Sequence, residues 1–232
     1  MTSTTSRGVT PRRSGDPEVD LVFYRLLHRA MLADVSALAE VTDRAACGDL
    51  VPTPERAAAL AAYVDRLCGE IAALQRGEDA VLWPLVTASA GSAVDLCDLT
   101  DDHHAMDPLL VRARTFSAAL ARDPQDLPMA NRLAGTVTDL LALLTEHVAD
   151  AERGLFPAIT RYVSVADFTA ARSQLRRDLG PGQLMWLVPW LCFHASGDEL
   201  RRALAGTGPA PKVLLRIGGP AFRRSRAAAL GA

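Results

Sequence analysis

Residues 145–159 read TEHVADAERGLFPAI, and an earlier stretch, residues 74–86, reads LQRGEDAVLWPLV. Each runs from acidic residues to Leu, an aromatic and Pro. The later copy has a histidine, His147, but alanine, Ala151, at the position matching Glu78. The earlier copy has Glu78 but leucine, Leu74, four residues before it. A histidine and a carboxylate four residues apart share one face of a helix. Each copy therefore keeps half of a pair that could hold a metal ion.

The surrounding periodicity is helical. From Leu21 onward, Tyr24 or Arg25, His28, Met31 or Leu32, Val35 and Leu38 or Ala39 fall on one stripe. A second helix starts at Thr53, a natural N-cap followed by Pro54, and carries Leu60, Val64, Leu67, Ile71, Leu74 and Glu78 on one face. A third is expected over about residues 100–122, closed by RDPQDLP. A fourth is expected over about 128–162, through Leu133, Val137, Leu140, Leu144, His147 and Leu155. Alternating strand patterns are almost lacking. Four long amphipathic helices with short loops predict an all-α chain, an antiparallel four-helix bundle. The boundaries expected are a disordered tail over 1–16, the bundle over 17–163, and a helical C-terminal extension over 164–232 packing on it.

The chain has 232 residues and a formal net charge of −2, which gives no pull toward nucleic acid. No apolar run approaches the roughly twenty residues of a membrane span. Cys47, Cys68, Cys97 and Cys192 are scattered and form no CxxC pair, so they read as reduced core residues of a cytoplasmic chain. Cys192 and His194 stand at CxH spacing, a weak metal signal without partners.

Of the five histidines, His28, His103, His104 and His147 fall on helices one, three and four, and helix two supplies Glu78 on its apolar face. A buried carboxylate is costly unless paired or bound to metal, and imidazole with carboxylate suits iron, manganese or zinc. Taken singly, each has a bland reading: His28 as a hydrogen-bonded core histidine, Glu78 with Asp79 as surface charge, Glu152 with Arg153 as a solvated pair. The order His, Glu, His, His along four successive helices raises them together.

That order, with RLLHRAML, GEDAVLWPLV, DDHHAMDPLL and EHVADAERGLFPAI, resembles the hemerythrin-like (HHE cation-binding) family. The tail containing MWLVPWLCFHASGDELRRAL is similar to the extension of actinobacterial members. The resemblance implies non-heme iron, one or two ions, with His28, Glu78, His103, His147 and Glu152 as the candidate ligands. It aligns His103, rather than His104, with the third-helix ligand. Leu74 and Ala151 replace a family histidine and a family acid. Glu152 lies one residue beyond the usual place, and a bulge in the helix would be needed to bring it back. The half-site left, His103, His147 and Glu78, is the two-histidine, one-carboxylate set of mononuclear iron oxygenases. Asp107, four residues after His103, is a further candidate to add a ligand or orient one.

The expected function is an O2-using oxidoreductase on a small molecule, a non-heme iron oxidase or oxygenase. Its substrate would sit in the emptied half-site between Leu74 and Ala151, faced by His28 as acid–base group and by Tyr24. The alternatives are a non-catalytic sensor of iron, O2 or nitric oxide, and a metal-free bundle acting as a binding module. The apolar tail, with Trp186 and Trp190, is expected to cover the bundle, with a lid or a homodimer contact as the other readings. The basic end, Lys212, Arg216, Arg223, Arg224 and Arg226, reads as solvated.

Overall fold

The computed structural model describes residues 8–204 and 208–231, and no strand occurs among them. The chain runs through α1 (Val22–Ala46), α2 (Pro54–Gly77) with its continuation α3 (Trp83–Ala90), α4 (Cys97–Arg122), and α5 (Leu127–Asp150) with its continuation α6 (Phe156–Tyr162). α5 packs between α1 and α4, and α2 packs on α4. Apolar stripes drive this arrangement. Val35 and Leu38 of α1, Val64 and Ile71 of α2, Leu110 of α4, and Leu133 and Leu140 of α5 are buried in one cluster. Each such side chain contributes about 1.5–3 kcal/mol on leaving water.

Local signals fix where the helices begin. The Thr53 hydroxyl accepts from the backbone N–H of Arg56, with Pro54 in the first turn. Asp126 does the same for Met129 at 2.9 Å ahead of α5. α4 runs through Pro108 without a break.

Two helices widen at matching places. A π-helical turn over Glu78–Leu82 joins α2 to α3, and another over Ala151–Leu155 joins α5 to α6. The cause is the proline of each LWP or LFP motif. Pro84 and Pro157 have no N–H to donate, and their rings crowd the carbonyl four residues back. The residue before each proline bonds one residue further than in an α-helix: Trp83 N–H donates to the Glu78 carbonyl, and Phe156 N–H to the Ala151 carbonyl.

Beyond the bundle come α7 (Val165–Arg177), α8 (Pro181–His194), α9 (Gly197–Ala203) and α10 (Ala210–Leu230). α8 and α10 pack on each other and against α1 and α2. Trp190, Leu191, Phe222 and Leu230 join the main core cluster. Gly218 lets α10 approach α8: a Cβ there would lie 2.7 Å from the Met185 carbonyl oxygen. The seam is closed by a polar knot at Asp34 of α1, which is fully buried. Its carboxylate accepts from Tyr63 Oη, from Trp190 Nε1 at 2.8 Å and from Arg226 Nε at 2.9 Å, and His194 Nε2 lies 3.3 Å away. Burial opposes the charge of Asp34, but these donors outweigh it and hold the carboxyl below its ordinary range. Arg226 and His194 thus belong to this knot.

Of the segment read as a tail, residues 1–7 lie outside the described residues. Residues 8–16 form neither helix nor strand, and the Arg12 N–H donates to the Tyr162 carbonyl at 3.0 Å. The cysteines are all unpaired, but the core placement expected for them holds only for Cys68. Cys47 and Cys97 are exposed, because both sit at helix ends facing outward. Among the described residues, no helix is long and apolar enough to cross a membrane.

Candidate metal centre

The π turn at Glu78, the second turn of α4 at His103 and the last turn of α5 at His147 bring three side chains into the bundle interior. One donor atom from each lies within 4.8 Å of the others, and all three residues are buried. Glu78 Oε2 stands 3.4 Å from His103 Nε2. That contact is too poorly aligned to satisfy the nitrogen, which is buried without a hydrogen-bond partner. His104, its neighbour, points outward and is exposed.

Each imidazole is gripped from behind by a carboxylate. Asp79 Oδ1 lies 2.9 Å from His103 Nδ1, and Asp102 Oδ2 lies 3.2 Å from His147 Nδ1. On α1, Glu152 Oε1 lies 3.3 Å from His28 Nδ1, and the second oxygen of Glu152 takes Arg25 at 3.1 Å. A carboxylate on Nδ1 fixes the tautomer, so the free electron pair is on Nε2, the atom left for the interior. The aromatic of each repeated motif serves the same purpose. Trp83 stacks on His103 at 5.6 Å between ring centroids, and Phe156 stacks on His28 at 5.2 Å.

Glu78 is the charge these groups share. Burial pushes the His147 pKa down, only partly offset by Glu78, and the nearby His103 pushes the same way. Burial likewise wins at His28, where Glu78 and Glu152 pull upward. At His103 burial is outweighed by Glu78 and Asp79, which hold the imidazole above its ordinary value. Burial, then Glu78, raise the phenol of Tyr24, which stays protonated.

A metal fits this donor set on two counts. The buried His103 Nε2 lacks a proper partner, and the donors are two imidazoles and one carboxylate, suited to a divalent transition metal such as iron. Glu152 does not join the three. It holds His28 from outside, with its side chain a third exposed. Asp107 is exposed as well and orients nothing here: the orienting acids on this side are Asp79 and Asp102. By sequence, Asp79 reads only as surface charge beside Glu78, and Asp102 is not singled out. Their signal was adjacency, Asp79 directly after Glu78 and Asp102 directly before His103.

The emptied half-site is not a substrate chamber. A cavity does lie between His28, Leu74, Gln75, Glu78 and His147, but its volume is about 10 Å³, the least that one water molecule needs. Leu74 and Met106 are among the side chains that wall it in. Neither Tyr24 nor Ala151 lines it. Both are packed in a separate apolar cluster with Leu82, Phe156 and Phe168.

The hemerythrin HHE cation-binding domain model matches residues 21–159, more than half of the chain, from the start of α1 into α6 and including the four buried ligand-type residues. The chain belongs to this family of helical cation-binding proteins. Comparison with curated proteins and with solved structures gave no match.

Proposed function

We propose that this chain is a non-heme iron protein holding one ion on Glu78, His103 and His147, with an open position that takes O2 or nitric oxide. The observation that carries this reading is the set of three carboxylate-backed imidazoles around one buried glutamate. Iron in such a site supplies reversible binding of a diatomic ligand or electron transfer to it. Around it the chain's own residues do the rest. Asp79 and Asp102 take the Nδ1 side of each ligand, so that each ring presents Nε2 to the ion, Trp83 and Phe156 shield the rings, and the cavity beside Glu78 leaves room for only the smallest ligands. This favours a sensor or binding role.

A second reading, an O2-using oxidoreductase, draws on Tyr24. Its buried phenol, kept protonated by burial and by Glu78, retains an O–H bond that could give a hydrogen atom near Glu78. The small molecule supplying electrons would then act from the surface, since the cavity excludes it.

The experiment is anaerobic reconstitution with Fe(II), followed by metal analysis and by spectroscopy under nitric oxide and under O2. About one iron per chain and a nitric oxide adduct are expected. O2 consumption sustained by a reductant would select the oxidoreductase. Absence of iron uptake would end both readings in favour of a metal-free binding module.

A further inference from the structure

Gln75 is on α2, three residues before Glu78 and so on the same helix face. It is 5% exposed. Its carboxamide nitrogen donates to Met106 Sδ at 3.4 Å. Its oxygen is buried with no hydrogen-bond partner, an arrangement that folded proteins avoid unless the group has a use. Turning the amide over gives no relief, because the oxygen would then face the sulfur, another acceptor.

Beside this amide lies the cavity of about 10 Å³. Much of its wall is apolar, at Met31, Ile71 and Leu144, and its polar groups are Gln75, Glu78, His28 and His147. The space holds one water-sized molecule, and a water there needs at least two polar partners. Glu78 and the amide oxygen of Gln75 are both acceptors, so the molecule that suits them carries hydrogen.

We infer that Gln75 is the specificity-determining residue of this pocket: its carboxamide oxygen takes the hydrogen bond of a protic ligand, water or hydroxide, and favours it over aprotic ligands such as azide. Met106 holds the amide in the orientation this requires. The inference rests on the iron-binding reading for its ligand chemistry, but the water site itself does not depend on iron.

The test uses the full chain loaded with iron and oxidised, titrated with azide at fixed pH and followed optically. In Gln75→Leu the resident water loses its acceptor, so azide displaces it more easily. The azide dissociation constant falls about fivefold, the worth of one hydrogen bond, while iron content stays at the wild-type ratio. Met106→Leu, which frees the amide to turn, shifts the constant in the same direction by less, and it stands alone should Gln75→Leu fail to fold. Unchanged azide affinity at full iron content overturns the inference. So does loss of iron from Gln75→Leu, which would make Gln75 a metal ligand instead. If the wild-type chain takes up no iron, the iron reading falls separately. A high-resolution crystal structure of the metal-free chain then decides: an ordered water within about 3.2 Å of Gln75 Oε1 supports the site, and a dry cavity overturns it.

Discussion

Asp79 and Glu152 occupy equivalent places in the two π turns, the second residue of each, and do the same thing to different histidines. Asp79 holds His103 Nδ1 at 2.9 Å and Glu152 holds His28 Nδ1 at 3.3 Å. Glu152 is therefore the counterpart of Asp79 and not a displaced copy of Glu78. The counterpart of Glu78 is Ala151, buried among apolar side chains.

Glu152→Ala is accordingly expected to leave the iron ratio at about one per chain, whereas Glu78→Ala, His103→Ala and His147→Ala each abolish uptake. Metal analysis of the four purified variants checks this. Iron lost from Glu152→Ala, or two ions in the wild type, would show Glu152 to be a ligand after all.

Asp79→Asn and Asp102→Asn should weaken iron binding by about 10–100-fold, the usual effect of removing a carboxylate behind a ligating imidazole. The fold should survive, because both acids are at least partly exposed. Competition with a chelator gives the affinity and circular dichroism the fold. Equal affinity in both variants and the wild type would mean that the Nδ1 contacts do not tune the site.

The double substitution of Leu74→His with Ala151→Glu restores both lost groups of the repeat. Without metal it should destabilise the bundle by about 2–4 kcal/mol, since polar groups enter a packed core. Excess iron should recover much of that, because binding to the folded state adds stability, and the ratio should rise from about one to about two. Thermal melts with and without iron, beside metal analysis, read both quantities. Iron uptake that stays at one ion would show that the two helices do not face each other in the register assigned.

Asp34→Ala should loosen α8 and α10 from the bundle and cost about 3–5 kcal/mol, because it leaves Arg226 and the buried donors of Tyr63 and Trp190 unpaired. The wild type should show the same seam failing in acid. The folded-state pKa of Asp34 lies below its ordinary 3.8, so its contribution is complete above about pH 4 and is lost as pH falls through the lower, folded-state value. Trp fluorescence against pH, in the wild type and in Asp34→Asn, reports the opening. An acid transition unchanged in Asp34→Asn would assign it to other groups.

Gly218→Ala should destabilise the same seam by about 1–3 kcal/mol. Its Cβ would meet the Met185 carbonyl oxygen at 2.7 Å and Pro189 Cγ at 3.0 Å, and neither backbone oxygen nor proline ring can swing aside. Chemical denaturation measures the loss. Full stability would mean that α10 can slide along α8.

The helices, their N-caps at Thr53 and their buried faces were legible in the sequence, because 3.6-residue periodicity and capping chemistry are local properties. So was the burial of Glu78, His103 and His147 on inward faces, since ligand-type residues on apolar faces are costly without a purpose. What the sequence left open was decided by helices meeting. Only packing of α4 against α5 puts Asp102 behind His147, and only the π turns, set by Pro84 and Pro157, aim Asp79 and Glu152 at their histidines. Whether the lost ligands left a chamber was likewise a question of volume. Leu74 and Met106 close it to about 10 Å³, because a packed interior leaves few voids larger than a water molecule. The knot at Asp34 joins residues up to 192 positions apart. No local pattern encodes it, because hydrogen bonding across a seam depends on where the chain returns.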